Sequence, residues 1–309
     1  MAGDRLEREP SRESFATRRV AFDSDGDSCT GTLYLPAEGT DPPLVVMANG
    51  LAAEANFGLP RYAERFAAAG IAAFTFDYRG FDGSAGEPLV LPDGQLEDWR
   101  AALDRAAAGF RGVGDARALW GTGLSGGYVL TLAAERSDVD AVVTQVPLLD
   151  GRKLLRAKSP RYVLRALASG LRDRLGGRFG RTHEVKVYGD PDEFALLNEP
   201  GAKDAYVRLI PRESRWRNRT RARTLLALPR YRPIAVAADV TAPTLVIAGT
   251  EDELHPYGAV ESLVETLPDA TLVSKRMGHF DASHGAFPEL FDHQLAFLRA
   301  TFDEGERAR

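Results

Sequence analysis

Cysteine is almost missing from this chain: Cys29 stands alone among 309 residues. No disulfide can therefore close within the chain, no Cys/His cluster has the spacing of a metal site, and Cys29 itself reads as an ordinary strand residue. Long apolar runs are lacking as well, none approaching the roughly 20 residues that span a bilayer. The charged opening MAGDRLEREPSRESFATRRV has no apolar core of the kind a secretory signal needs. These absences set the expectation of a soluble, cytoplasmic protein with no membrane partner. There is no basic excess either, since the net charge is −5 with both signs plentiful, which argues against a protein built to coat nucleic acid and for small-molecule partners. The glycine-rich GTGLSGG lacks the Lys-Ser/Thr ending of a phosphate-cradling loop, so neither an organic cofactor nor a metal is expected. No internal repeat or low-complexity tract is present.

What is there is enough apolar residue, 44% of the chain, to fill one large core with room for an insertion. After about 16 polar residues expected to fray, RRVAF and CTGTLYLP read as strands of a hairpin around the turn-rich DSDGDS. The rhythm then changes to short apolar runs separated by helical spacing: PLVVMANG, PRYAERFAAAG, IAAFTFDYRG, QLEDWRAALDRAAAG, ARALWGTG, GGYVLTLAAERS, VDAVVTQVP. Short buried strands joined by helical crossovers predict an α/β fold, a doubly wound and mostly parallel sheet covered on both faces. The alternation stops between Asp150 and about Ala235, where helix-like stretches such as RYVLRALASGLRDRL are broken by Gly and Pro; this reads as an inserted helical lid over residues 150–235, with the core in 17–149 and 236–305. The sheet rhythm resumes in APTLVIAGT, AVESLVETLP and ATLVSKRM and closes with the helical FPELFDHQLAFLRATF.

Charge is segregated along the chain. The insertion holds 21 Lys and Arg against 9 Asp and Glu, and RESRWRNRTRAR places Trp216 among six arginines from Arg212 to Arg223. Such a run is ordinarily a solvated face. If it overhangs a site, its field would draw an anionic substrate or an acidic carrier protein.

The chemistry-bearing pattern is Gly123-Leu124-Ser125-Gly126-Gly127, a G-x-S-x-G between a predicted strand and a predicted helix. A serine on such a turn is held in a strained backbone conformation, and the helix start behind it favours a developing oxyanion. Serine needs a base. His279, in Met277-Gly278-His279-Phe280 after the last predicted strand, is better placed than His183 in the insertion, His284 and His293 further on, or His255 in a loop. A carboxylate in GTEDELHP would orient that base, with Glu251, Asp252 and Glu253 adjacent to one another. The backbone N–H groups of Gly126 and of Leu51, in the loop Met47-Ala48-Asn49-Gly50-Leu51-Ala52, are the expected oxyanion donors.

Taken together, NGLAAEANFGLPRYAERFAAAGIAAFTFDYRGFDGSAGEP, LEDWRAAL, LWGTGLSGGYVL, IAGTEDELHP and GHF resemble the α/β-hydrolase superfamily. The run from Gly50 to Ala102 is similar to its dienelactone-hydrolase and acyl-peptidase-like branch, including the polyketide transferase group. The resemblance covers about residues 30–150 and 240–300, and it implies Ser125 as nucleophile, Asp252 as acid, His279 as base, and Leu51 and Gly126 as oxyanion positions. One departure is Asn49, where many relatives carry the histidine of an H-G pair.

The implied activity is acyl transfer to water through an acyl-enzyme on Ser125, in an esterase or thioesterase acting on a small-molecule acyl substrate. An acyl or polyketide transferase and an aminopeptidase-like hydrolase share the same machinery. A protein of another class, a binding protein that keeps the fold without catalysis, is the remaining alternative.

Overall fold

A computed structural model describes residues 14–156 and 158–308. The chain opens with an antiparallel hairpin of β1 (Phe15–Ser24) and β2 (Asp27–Pro36). Its two-residue turn is Asp25-Gly26, both at positive φ (52° and 85°), the Asp-Gly signature whose twist matches the strands it joins. The expected frayed start, residues 1–16, lies outside the described residues up to residue 13; Phe15 and Ala16 are ordered against Pro36 and Leu35.

The alternating pattern then builds β3 (Leu44–Ala48), α1 (Leu59–Ala68), β4 (Ala72–Phe76), α2 (Pro92–Ala107), β5 (Arg117–Thr122), α3 (Leu124–Glu135) and β6 (Ala141–Gln145). Next the chain leaves the sheet through α4 (Lys153–Arg156), α5 (Pro160–Gly176), β7 (Glu184–Tyr188), β8 (Ala195–Leu197), α6 (Ala202–Val207), β9 (Thr220–Arg221) and α7 (Thr224–Ala227). It returns with β10 (Thr244–Gly249), α8 (Tyr257–Thr266), β11 (Ala270–Lys275) and α9 (Phe287–Ala308). The eight-stranded sheet runs β1-β2-β4-β3-β5-β6-β10-β11. Only the β1–β2 and β2–β4 pairings are antiparallel; from β4 to β11 every pairing is parallel.

Two cores form because alternate residues of a strand face opposite ways. In the fully buried β3, Val46 and Ala48 join Leu119, Trp99, Tyr128 and Leu263 on the face covered by α2, α3 and α8. Val45 and Met47 join Trp120, Phe66, Phe287 and Leu290 on the face covered by α1 and α9. A strand buried on both faces has no polar positions, which is why these strands read as unbroken apolar runs.

The insertion differs from the expected all-helical lid: it carries a second sheet of order β8-β7-β9. The signal was in Glu184-Val185-Lys186-Val187, which alternates exposed and buried with the period of two of a half-buried strand. Asp173 on α5 anchors the layer. Fully buried, it pairs with Arg221 (3.4 Å) and Arg223 (2.6 Å) and accepts the His183 N–H (2.9 Å). Half of the dense arginine run is likewise engaged internally, with Arg219 on Glu184 and Arg221 also on Glu87. Trp216 turns inward, its Nε1 donating to the Ala52 carbonyl at 2.7 Å.

Candidate active site

Four loops meet at the carboxyl ends of the parallel strands, where a doubly wound sheet holds its ligands. The first is the turn between β5 and α3. The strand ends at Thr122 and the helix begins at Leu124, so a single residue makes the turn: Gly123, at φ 57° and ψ −119°. Its neighbours two positions away must be small. A Cβ on Gly121 would stand 2.3 Å from the Ser125 carbonyl oxygen, so strand and helix close on each other here with only hydrogen between them.

Ser125 therefore does not occupy the turn. It lies one residue inside α3, fully buried, and its Oγ accepts hydrogen bonds from the Tyr78 hydroxyl (3.2 Å) and Trp99 Nε1 (3.2 Å). Among the described residues no hydrogen bond joins it to His279. The expected placement of the nucleophile slips by two residues, because Gly121-Thr122-Gly123-Leu124-Ser125 and Gly123-Leu124-Ser125-Gly126-Gly127 are overlapping frames of the same small-residue pattern. The strand boundary selects the first. Ser125 then serves as the small residue two places after the turn. Gly126 shifts with it: its amide packs beneath the turn, 2.9 Å from where a Cβ on Gly121 would be. The residue following the turn is Leu124, and an amide at the first position of a helix has no partner within that helix.

Across the second loop, Asn49 carries out a structural task. Its Nδ2 donates to the carbonyls of Glu54 (2.7 Å) and Phe57 (3.1 Å), and its own carbonyl accepts the Tyr78 hydroxyl at 3.1 Å. This staples the loop and sets Gly50 and Leu51 against the β5–α3 turn, where a Cβ on Gly50 would lie 3.4 Å from the Leu124 nitrogen. Leu51 and Leu124 both line the pocket.

The third and fourth loops bring Asp252 and His279 together as expected. Asp252 Oδ2 is 2.9 Å from His279 Nδ1, while its Oδ1 accepts the N–H groups of Leu254 and His255, each at 2.8 Å. Burial alone would raise the Asp252 carboxyl, but the charge of His279 and its hydrogen bond outweigh this and hold it at about 2. His279 is likewise disfavoured as a cation by burial, yet its pairing with Asp252 raises it above the ordinary histidine value. With Nδ1 on Asp252, Nε2 points to the turn, 3.5 Å from the position of a Cβ on Gly123.

A residue expected only as loop surface completes the site. His255 is half-buried, its ring 4.7 Å from that of His279 and nearly perpendicular to it. Its Nδ1 lies 2.9 Å from the Val146 carbonyl, and Val146 itself holds φ 40°, unusual for a β-branched residue. Burial and the neighbouring His279 push His255 down to about 4, so it is neutral at pH 7. With Nδ1 donating to the carbonyl, its Nε2 is an acceptor. Asp252, His255 and His279 offer ligand atoms within 4.8 Å of one another. The carboxylate oxygens are already taken by His279 and two amides, and the His255 ring bonds the Val146 carbonyl instead.

These groups open into a pocket walled by Leu51, Leu124, Leu148, Leu154, Leu197, Leu209 and Leu228, with Phe57, Tyr188, Tyr206 and Phe280. Leu154, Tyr188, Leu197, Tyr206, Leu209 and Leu228 come from the insertion, which thus roofs the site. No lysine or arginine is among the lining residues, so the basic run of the insertion faces elsewhere.

Comparison with known proteins agrees with the fold. The family model for serine aminopeptidases of type S33 matches residues 41–280. The quorum-quenching protein AidA of Acinetobacter baumannii is 33% identical over 284 residues, 91% of this chain and 93% of that protein. The thiohydrolase aneE of Aspergillus aculeatus is 34% identical over a shorter 130 residues, 41% of this chain and 40% of its own length. Among solved structures, DcsB in complex with its substrate analogue superposes with a TM-score of 0.81 at 22% identity, covering 93% of this chain and 99% of that one. The chain is an α/β hydrolase and belongs to the serine aminopeptidase S33 family.

Proposed function

We propose that this hydrolase cleaves an uncharged carboxylic ester, thioester or lactone by direct attack of water, with His279 and Asp252 as the base and its orienting acid, and without an acyl-enzyme on Ser125. The observation that carries the reading is the pairing of a complete base with a turn that has no side chain: His279 Nε2 aims at Gly123, and Ser125 Oγ is committed to Tyr78 and Trp99. Water accepting the role of the serine hydroxyl sits between Nε2 and the substrate carbonyl. His279 takes its proton as the oxygen bonds to the carbonyl carbon, and Asp252 stabilises the imidazolium. The N–H groups of Leu51 and Leu124 receive the oxyanion, aided by the start of α3. Collapse breaks the bond to the alkoxide or thiolate, which leaves with the proton from His279.

The pocket supports an apolar acyl group, since leucines dominate it and no cation lines it. The relative named a thiohydrolase supports thioesters among the candidates, and the one named a quorum-quenching protein supports a small diffusible substrate. One observation favours a second reading: with glycine at the turn, the same pocket suits a protein that binds an apolar ligand and does not turn it over. Hydrolysis of a panel of p-nitrophenyl esters, acyl thioesters and lactones by wild type and His279→Ala separates the two. Turnover that disappears in the variant supports the hydrolase; an apolar ligand bound equally by both, with no turnover of any panel member, supports the binding protein.

A further inference from the structure

Apart from Val207, the exposed large apolar side chains among the described residues gather on one helix and the residues just after it. Leu164, Leu167, Leu171 and Leu175 of α5 are 48–70% exposed, and Phe179 just beyond it is 82% exposed. At about 100° per residue the four leucines share one stripe along α5, while its buried residues Ala166, Gly170 and Asp173 point to the far side. The helix thus has two apolar faces. The inner one packs on α7, where Gly170 receives Leu226, in the layer that roofs the pocket; the outer one is open to solvent.

Arginines border the outer stripe. By the same helical spacing Arg161, Arg165 and Arg172 flank one side and Arg174 the other, with Arg178 following the helix. Among the described residues Arg161, Arg172, Arg174 and Arg178 enter no ion pair, and the sole carboxylate of α5, Asp173, is turned inward onto Arg221 and Arg223. A leucine ridge edged by unneutralised guanidinium groups has the form of a helix lying in the plane of a membrane interface, leucines in the acyl region and arginines on the lipid phosphates.

We propose that α5 docks the protein onto an anionic lipid surface. A second copy of this chain fits the face less well: juxtaposed α5 helices would bring arginine against arginine, and five side chains fall well short of the roughly 20–30 residues a side of a standard interface. The proposal concerns a helix resting on the surface, as no helix among the described residues is long and apolar enough to cross a membrane. It stands independently of the hydrolytic reading, and it would hold the roof of the pocket against the phase in which apolar acyl compounds dissolve.

Flotation of the full chain with vesicles of phosphatidylcholine alone, or of phosphatidylcholine and phosphatidylglycerol in equal parts, tests it. Wild type is expected to float with the anionic vesicles and far less with the neutral ones. The double variant Leu167→Glu, Leu171→Glu should bind at least tenfold more weakly, and Arg172→Glu with Arg174→Glu should lose about fivefold per arginine removed. All four side chains are exposed, so unchanged thermal melting separates lost docking from lost folding. Wild type that stays off the anionic vesicles, or well-folded leucine variants that float as wild type does, would overturn the proposal. So would a concentration-dependent dimer that the leucine variants dissociate while wild type ignores lipid, which would assign the stripe to a second copy.

Discussion

His279 Nε2 stands 3.5 Å from the point a Cβ on Gly123 would occupy, so the imidazole paired with Asp252 is aimed at a residue without a side chain. The serine two positions later is held by an indole and a phenol on the other side of the turn. The consequences for activity, stability and pH follow from that displacement.

Substitution at the two residues separates their roles. Ser125→Ala is expected to keep kcat/KM within about threefold and to cost at most about 1 kcal/mol of stability, because Trp99 Nε1 keeps the Tyr78 hydroxyl (3.0 Å) and that hydroxyl keeps the Asn49 carbonyl (3.1 Å) as acceptors. His279→Ala is expected to lower kcat by a factor of about 100 to 10,000. Steady-state rates and urea melts of both variants check this; a Ser125→Ala rate as low as that of His279→Ala would return the nucleophile to Ser125.

Asn49 should matter through the loop it staples. Asn49→Ala removes the Nδ2 bonds to the Glu54 and Phe57 carbonyls, of which Glu54 keeps the Phe57 N–H at 3.0 Å, at a cost of about 1–3 kcal/mol. A loosened Leu51 amide should show mainly in kcat, with KM little changed. A variant as stable as wild type, with only KM altered, would contradict this assignment.

The histidines set two different pH limbs. His279 must be neutral to accept a proton, and its value is raised above 6.5, so activity should fall as pH drops through a point above 6.5. Its share of stability is complete below 6.5 and is lost as pH rises through the raised value. His255 has the opposite sign: depressed to about 4, it binds a proton more readily in the unfolded chain, so stability declines as pH falls from 6.5 toward 4. Asp252, lowered to about 2, adds its own loss only as pH falls below 3.8. Thermal melting between pH 7 and 4 should therefore slope downward in wild type and flatten in His255→Asn; equal slopes would show that His255 is not held neutral.

Much of this architecture is legible before any coordinates. The run Leu44–Ala48 announces a strand buried on both faces, Asp25-Gly26 announces a hairpin, and the order of Asp252 and His279 after the insertion places both at one end of the sheet. The strand-to-helix turn is ambiguous in the sequence for a physical reason. Small residues are required both two before and two after a tight strand-to-helix turn, so the chain presents two overlapping frames, one centred on Gly123 and one on Ser125. The end of the buried run Arg117–Thr122 was the available signal, since it leaves room for one turn residue, Gly123. The small sheet of the insertion was hidden by short strands among arginines, and the position of His255 depends on the Val146 carbonyl, 109 residues away in the chain, which no local pattern discloses.

The most direct measurement is the intact mass of wild type and Gly123→Ser after treatment with a fluorophosphonate. A serine at position 123 would place its hydroxyl at His279 in the strained conformation the turn already holds, at a stability cost of about 1–3 kcal/mol. Direct attack of water predicts no phosphonyl adduct on wild type and a single adduct on the variant, at residue 123. A stoichiometric adduct on wild type mapped to Ser125 would contradict it.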